Sequence, residues 1–510
     1  MALNEGSRTK NAERNAVSAI GNKLIILGLT FISRKFFIEY IGVEYLGING
    51  LFANVLTLLS MADLGLGTAM NVSLYKPIAE EDTDRIAALL NYFRKLYIYI
   101  AIGVTCVGLA IMPFLKYLVN MEQEIPHLYL YYLVFVLKNT ASYLFIYKSA
   151  LIRADQKTYL INSVEIYINI IKVIVQFIVV VTLKNYLMYI IFDVVAVVAQ
   201  NFVVSHRADR QYPFISGNNI LDNIEKKEIF SDIASVFLYK IAWSLLNGTD
   251  NILMSVIVGT VYVGLYSNYL TITNSLETFI ALLFTSLTAS IGNLVATESG
   301  KKRYDMFKTM QMIGFWICGI VTVGLLFLMQ DFIQLWFGKK LLLDNLTLVA
   351  IVINVFFSTC MRPVWTFREG TGMYRQIRYI MFVTAILNLV LSIVLGNIMG
   401  ISGIIFATSI SKLATYFWYE PNILFKSFFE VNPKKYYMEY IENIILIVIS
   451  LLLSYIPIHF IEKISIGCWI LKAIICMVIV NALYFLKYYR TTEFKYLKKK
   501  LLKKNSFIEN

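Results

Sequence analysis

The stretch KLIILGLTFISRKFFIEYIGVEYLG, residues 23–47, decides the fold, because it is an apolar helix interrupted by charge and it occurs twice. A shift of 217 residues (240 − 23) places residues 240–264, KIAWSLLNGTDNILMSVIVGTVYVG, over it without a gap. The superposed copies agree at four marker positions, pairing Lys23 with Lys240, Gly42 with Gly259, Tyr45 with Tyr262 and Gly47 with Gly264. The chain therefore contains an internal repeat that includes this helix.

Each copy carries polar residues at one spacing. Positions i, i+7 and i+11 hold Lys23, Thr30 and Arg34 in the first copy and Lys240, Asn247 and Asn251 in the second. At about 100° per residue, a step of eleven residues returns to within roughly 20° of the same helix face. Each copy is thus predicted to be a membrane helix with a polar, mostly cationic stripe. Two such helices from two related halves predict a basic cavity suited to an anionic ligand.

Composition sets the broad class. Of 510 residues, 58% are hydrophobic and only 15% are charged, and the mean hydropathy is +0.65. Soluble domains carry about 25% charged residues, whereas runs of about 20 apolar residues cross a bilayer. The net charge of +13 indicates membrane topology rather than a nucleic-acid partner. The three histidines and five cysteines have no metal-ligand spacing, so we expect no metal, cofactor or catalytic centre.

The apolar runs predict an all-α polytopic membrane protein with about fourteen transmembrane helices. The first run is expected to be an uncleaved span, because it is too long for a signal peptide. The predicted spans lie near residues 17–41, 46–74, 90–115, 127–148, 159–183, 186–206, 229–258, 263–296, 309–330, 343–362, 379–397, 401–424, 441–460 and 465–487.

Charge in the connections predicts the orientation. With the N-terminus inside, most of the 46 Lys and Arg residues fall in inner connections and tails. The outer connections then hold only Lys116, Lys184, Lys339, Lys340 and Lys463. Cytoplasmic loops collect Lys and Arg, so we expect both termini on the cytoplasmic side of the membrane. The outer connections are too short for a catalytic domain, which disfavours a membrane-embedded polymerase or glycosyltransferase.

The repeat also predicts the domain organisation. The longest inner connection, 207–228, falls midway between the two copies and holds turn-forming Pro213 and Gly217. We expect an N-lobe at 1–206 with spans 1–6, an inter-lobe linker at 207–228, and a C-lobe at 229–424 with spans 7–12. Both repeat copies run from inside to outside, so the lobes should be related by a pseudo-two-fold axis along the membrane normal.

Residues 425–487 hold two appended spans, and 488–510 form a basic cytoplasmic tail. The tail mixes Lys with Phe494, Leu497, Leu501 and Leu502. Two interpretations have equal weight: an interfacial amphipathic segment drawn to anionic lipid, or a solvated basic tail that only fixes orientation.

Charges inside the predicted spans are the candidate site residues. A charge at mid-bilayer costs about 2.5–3.5 kcal/mol on insertion scales, so such residues usually face protein or water. The candidates for binding substrate in a cationic cavity are Lys240, Arg34, Lys23, Lys138, Lys172 and Lys412. The candidates for a gate or for ion coupling are Asp250, Asn251, Glu277 and Asp63.

Several candidates have competing interpretations. Lys240 lies about 16 Å into its span, too deep to reach the surface easily. Arg34 could contact substrate or pair with Asp250 as a gate. Glu165, seven residues before Lys172 on one helix face, is expected to neutralise that lysine in part. These alternatives stay open at the level of sequence.

The stretch IGVEYLGINGLFANVLTLLSMADLGLGTAM, residues 41–70, resembles bacterial polysaccharide flippases of the Wzx type. These belong to the multidrug/oligosaccharidyl-lipid/polysaccharide (MOP) exporter superfamily. The later stretches NGTDNILMS, 247–255, and GTVYVGLYSNYLTITNSL, 259–276, fit the second lobe of that family. The resemblance covers essentially the whole chain, but its motifs identify the family better than the cargo.

The resemblance implies a flippase, not an enzyme, that moves undecaprenyl-diphosphate-linked oligosaccharide to the outer leaflet by alternating access. It implies O-antigen, capsule or exopolysaccharide synthesis, with a polysaccharide polymerase and chain-length machinery as further partners and H+ or Na+ as a coupling ion. A peptidoglycan-precursor flippase and a drug or metabolite exporter of the same superfamily remain alternatives. A non-transporting scaffold is disfavoured, because it has little need for intramembrane charge.

Overall fold

The structure is a computed structural model that describes residues 5–60, 66–122, 124–216, 219–223, 225–227, 229, 241, 244–246, 248–297, 300–371 and 373–505. Every regular element among these residues is helical. The chain divides into two compact units, Met1–Gly264 (unit 1) and Leu265–Asn510 (unit 2). The predicted linker at 207–228 and the two six-helix lobes stay predictions.

The described residues of unit 1 form ten α-helices and the start of an eleventh. They are α1 (Glu5–Tyr40), α2 (Val43–Leu59), α3 (Leu66–Ala79), α4 (Thr83–Ile111), α5 (Leu115–Leu118), α6 (Leu128–Ser142), α7 (Ile146–Ala154), α8 (Thr158–Leu183), α9 (Tyr186–Gln211) and α10 (Asp250–Ile257), followed by α11 (Thr260–Thr297).

The described residues of unit 2 continue from α11 through eight further α-helices. They are α12 (Gly300–Trp336), α13 (Asn345–Thr371), α14 (Tyr374–Met399), α15 (Ile401–Ala414), α16 (Tyr416–Leu424), α17 (Lys434–His459), α18 (Ile466–Tyr488) and α19 (Thr492–Asn505). A π-helical turn at Phe425–Phe429 extends α16.

Nine helices among the described residues are long and apolar enough to cross a membrane. The chain is therefore a multi-pass membrane protein, and the total of fourteen spans stays a prediction. Two predicted spans are divided in the structure, because Phe145 separates α6 from α7 and Thr415 separates α15 from α16. Hydropathy follows the apolar run across such a break, since the flanking side chains remain apolar.

The repeated glycines explain how two helices begin. Gly42 and Gly259 precede α2 and α11 with φ of +110° and +139°, a conformation that other L-residues rarely adopt. A Cβ on Gly47 would lie 2.1 Å from the Thr260 carbonyl oxygen, and one on Gly264 would lie 2.4 Å from that of Val43. Residues 43 and 260 are themselves related by the shift of 217, so the two helix starts exchange equivalent contacts. The repeat thus appears in three dimensions as a reciprocal crossing that glycine permits.

The basic tail begins as a helix packed on unit 2. Glu493 in α19 forms an ion pair with Lys308 of α12, and the Phe494 ring stacks 6.3 Å from that of Trp316. The side chains of Lys495, Lys498 and Lys499 are exposed on the remaining face. The first turns of the tail are therefore amphipathic, and their contact with lipid stays a prediction.

Candidate functional site

A polar cavity of about 340 Å³ lies inside unit 1 between α1, α2, α6, α8 and α9. Its charged lining consists of Arg34, Lys138, Lys172 and Asp193. The neutral polar lining consists of Thr30, Ser33, Asn49, Asn169, Gln176 and Tyr189. Three of the six predicted substrate-binding residues, from three different helices, therefore meet in one cavity.

Asp193 on α9 is the centre of this cluster. Its Oδ2 accepts a hydrogen bond from Lys138 Nζ of α6 at 2.8 Å, and its Oδ1 lies 3.4 Å from Lys172 Nζ of α8. Gln176 Nε2, one turn beyond Lys172, donates to Oδ1 at 3.2 Å. One carboxylate thus holds two ammonium groups beside the cavity, which lowers the cost of placing both charges within the membrane.

Arg34 adds a third positive charge from α1. Its guanidinium lies within electrostatic range of the Tyr189 ring hydroxyl, and Thr30, one turn earlier, also lines the cavity. Lys23 is exposed two turns before Thr30. The predicted stripe therefore enters the cavity through Thr30 and Arg34, while Lys23, near the middle of α1, does not line it.

The expected neutralisation of Lys172 by Glu165 is wrong. Glu165 accepts a hydrogen bond from Asn22 Nδ2 of α1 at 2.8 Å, whereas Lys172 lies against Asp193. Seven residues on one helix are two turns apart, and a carboxylate on a neighbouring helix is closer. Periodicity placed both side chains on one face but could not show which helix packs against it.

The charge balance of the cavity determines which ligands it suits. Three positive charges against one negative charge leave a formal excess of two positive charges among the lining residues. The side chains of Lys138 and Lys172 are 35% and 24% exposed, so their ammonium groups are accessible as well as paired. An ammonium has three donors and can bind a second acceptor beside Asp193. The arrangement is suited to phosphate or carboxylate groups.

Unit 2 contains a second cluster around Glu277 on α11. Its carboxylate is hydrogen-bonded to Ser358 of α13 and lies within electrostatic range of Lys412 on α15 and Arg362 on α13. Lys412 is buried, with 7% of its surface exposed. The predicted residues Glu277 and Lys412 are therefore brought together, as an acid beside two bases.

Comparison with known proteins shows which solved structures have a similar fold. No protein-family model matches the chain, and no curated protein matches it. Among solved structures, the lipid II flippase MurJ in an inward closed conformation is similar at 13% identity with a TM-score of 0.69, covering 93% of this chain and 98% of that one.

Two further similar structures are transporters. An inward-facing multidrug resistance MATE family transporter of the MOP superfamily has 12% identity and a TM-score of 0.60, covering 79% of this chain and 97% of its own. A MOP superfamily transporter from Pyrococcus furiosus has 14% identity and a TM-score of 0.55, covering 81% and 95%. The fold of this chain is similar to that of these transporters.

The similarity of fold agrees with the predicted MOP superfamily, and membership of that superfamily stays a prediction. Identities of 12–14% show the fold alone and carry no cargo from those proteins to this one. The Pyrococcus furiosus transporter has a binding pocket of reverse polarity, which suggests a different function for that protein. Among proteins of similar fold, the charge of the residues that line the cavity is therefore the feature to compare.

The described residues of the cavity and the Glu277 cluster do not include four further predicted site residues. Lys240 and Asp63 lie outside the described residues, as does Asn247 of the second stripe. Asp250 begins α10, and Asn251 beside it is buried. An Arg34–Asp250 gate stays a prediction.

Sequence reasoning did not single out two basic residues of unit 2. The predicted span 343–362 ends at Arg362, but α13 continues through Pro363 to Thr371 and places both Arg362 and Arg368 within the helix. Arg368 Nη1 lies 2.8 Å from Glu420 Oε1, and both side chains are buried. The apolar residues Val364, Trp365 and Phe367 were the available signal that the helix continues. Among the described residues, no group of three metal-ligating side chains is present.

Proposed function

We propose that the protein is a flippase that moves undecaprenyl-diphosphate-linked oligosaccharide repeat units from the inner to the outer leaflet of the bacterial cytoplasmic membrane. The product would feed synthesis of a surface polysaccharide such as O-antigen, capsule or exopolysaccharide. Transport would proceed by alternating access, without an enzymatic step.

The observation that carries this proposal is the excess of positive charge lining the cavity of unit 1. A lipid-linked sugar diphosphate brings phosphate oxygens to the membrane interior, where each needs a donor or a counter-charge. Arg34, Lys138 and Lys172 offer both, because Lys and Arg bind phosphate through charge-assisted hydrogen bonds. The lipid tail could remain in the bilayer while the head group contacts these residues.

A flippase for the peptidoglycan precursor is the second candidate. It is favoured by the similarity to the lipid II flippase MurJ, which covers 93% of this chain. Its cargo would use the same cationic residues, so the two candidates differ only in the sugar. A drug exporter is supported by the similarity to the MATE transporter, but a net positive lining disfavours cationic drugs.

Coupling and assembly belong to the same proposal. H+ or Na+ would drive the cycle, and Asp63, Asp250 and Glu277 are the acidic candidates. Lys412 and Arg362 beside Glu277 favour a counter-charge role for this acid over direct binding of a cation. A polymerase and chain-length machinery would take the product at the outer face, with both protein termini in the cytoplasm.

The deciding experiment locates the lipid-linked oligosaccharide in cells that lack the gene, with a glycosidase or lectin that reaches only the outer leaflet. Intact intermediates confined to the inner leaflet would establish the flippase. Single repeat units on the outer leaflet without polymer would instead indicate a polymerase. Undisturbed polymer would redirect the search to lipid II transport, tested by complementing a strain depleted of its lipid II flippase, and then to drug accumulation.

A further inference from the structure

A second cavity in unit 1 lies outside the polar site, in a groove between α4, α6 and α7. It has a volume of about 540 Å³. One face of α4 supplies most of its lining, with Arg94, Tyr97, Ile98, Ala101, Ile102, Thr105 and Cys106 recurring at helical spacing. Arg94 is the charged residue of the lining, and it stands at one end.

The opposite wall is formed where a helix is interrupted. Phe145 adopts φ of +64°, a left-handed conformation that costs energy for a bulky residue, and it separates α6 from α7. Leu144 and Phe145 are exposed at this break and line the groove with buried Tyr143 and Tyr147. The residues at the helix break therefore form the wall of the groove opposite α4.

The backbone at the break is satisfied from a third helix. Asn201 Nδ2 of α9 donates to the carbonyl oxygens of Ala141 at 3.0 Å and Ser142 at 3.4 Å. Backbone carbonyls freed within a membrane need such partners, and non-helical backbone is tolerated there where it lines a cavity. The left-handed conformation of Phe145 and the hydrogen bonds from Asn201 together indicate that the helix break is a specific feature of the structure.

The dimensions and charge of the groove match a phospholipid. From Arg94 to Cys106, α4 rises about 18 Å, which is close to the roughly 15 Å of hydrocarbon in one leaflet. Ile98 and Ile102 are 44% and 56% exposed along this length, whereas Tyr97 and Ala101 form a buried floor. An acyl chain would therefore lie against apolar side chains.

Arg94 supplies the positive charge at one end of the groove. It is exposed and lies within electrostatic range of the Tyr147 hydroxyl. Asp209, an acid that is also within electrostatic range of that hydroxyl, forms an ion pair with Lys148 at 2.7 Å. A guanidinium at the end of an apolar groove is suited to a phosphate oxygen, and it favours a lipid with net negative charge.

We propose that this groove is a binding site for one anionic phospholipid of the bilayer, with its phosphate at Arg94 and an acyl chain along α4. In the predicted orientation the lipid belongs to the inner leaflet. The site is separate from the cationic cavity and does not depend on the flippase assignment.

The test uses the purified full-length protein in detergent and phosphatidylglycerol carrying a photoreactive diazirine on one acyl chain. We expect cross-links to peptides that contain residues 94–106 and 143–147, and competition by unlabelled phosphatidylglycerol about tenfold better than by phosphatidylcholine. Arg94→Gln should remove that preference, and the matched control Lys95→Gln, an exposed neighbour about 100° around α4, should retain it.

A second variant tests the chain-binding part. Ile102→Trp places bulk in the groove at an exposed position and should reduce labelling by both lipids several-fold. Leu109→Trp, also exposed on α4 but beyond the groove, is its control. Equal competition by the two lipids in the wild-type protein, or unchanged labelling of Ile102→Trp, would overturn the proposal. The wild-type cross-link map decides the matter if a variant fails to fold.

Discussion

The Asp193 cluster of unit 1 and the Glu277 cluster of unit 2 use the same components with different accessibility. Each places one carboxylate between two basic side chains contributed by other helices. In unit 1 the two lysines are 35% and 24% exposed beside a cavity, whereas Lys412 of unit 2 is only 7% exposed. A partly exposed charge can still bind a ligand, and a buried charge mainly needs its counter-charge. The comparison favours the proposal that unit 1 binds ligand and that the unit 2 cluster supports the structure.

Removing the acid in unit 2 should have the largest effect on stability. Glu277→Gln deletes a counter-charge of buried Lys412, and we expect a loss of about 2–3 kcal/mol in the free energy of unfolding. Thermal unfolding of the purified protein measures this change. A second substitution, Lys412→Met, should restore part of the loss.

Glu442→Gln is the matched control, because the Glu442 side chain is 56% exposed in its ion pair with Lys487. Its unfolding temperature should change little. If Glu277→Gln unfolded at the wild-type temperature but transported nothing, the coupling role for Glu277 would replace the structural one.

Removing a base in unit 1 should instead affect transport. Lys138→Ala and Lys172→Ala each delete one charge-assisted hydrogen bond to an anionic ligand, so we expect about a tenfold fall in flux. Flux is measured as restoration of surface polymer in the deletion strain, at matched protein abundance. Lys35→Ala, at an exposed position on α1, should retain normal flux. A stability loss equal to that of Glu277→Gln, with flux per folded protein unchanged, would make the two clusters equivalent.

The sequence singled out both lysines of the unit 1 cluster, and Glu277 and Lys412 of the unit 2 cluster, but it did not predict their partners. Gly42, Gly47 and their counterparts were visible as a repeat, because a backbone requirement fixes the residue at its own position. Lys172 was recognised as important but given Glu165 as a partner. Its true neighbour, Asp193, lies on another helix, and no local period encodes which helix packs against which face.

Helix breaks and extensions limited the prediction in a similar way. Arg368 lay beyond the predicted end of a span at residue 362, yet α13 continues through Pro363 to Thr371. At Phe145 the error was the opposite one. The apolar run through Tyr143 and Leu144 predicted a continuous helix, and the structure has a break there. Both errors arise because tertiary packing can support or interrupt a helix against its local preference.

Changes at the predicted gate between Arg34 and Asp250 should have an intermediate effect on flux. Arg34→Ala and Lys240→Ala should each lower flux several-fold while the protein remains inserted. Arg34→Asp combined with Asp250→Arg should restore more flux than either single change, if the two charges act as a pair. Additive losses in the double variant would remove the gate and leave Arg34 as a ligand-binding residue. Normal flux in both alanine variants at normal abundance would contradict the cationic stripe.

The smallest expected difference concerns the neutral donors, Gln176 in unit 1 and Ser358 in unit 2. Each hydrogen-bonds the central carboxylate of its cluster and leaves every charge in place when removed. Gln176→Leu and Ser358→Ala should therefore each cost about 1 kcal/mol of stability, with flux per folded protein reduced less than about threefold. Thermal unfolding and flux, measured on both variants, give the comparison. A larger flux loss in Gln176→Leu than in Lys138→Ala would mean that the position of Asp193, rather than the positive charge beside it, governs binding.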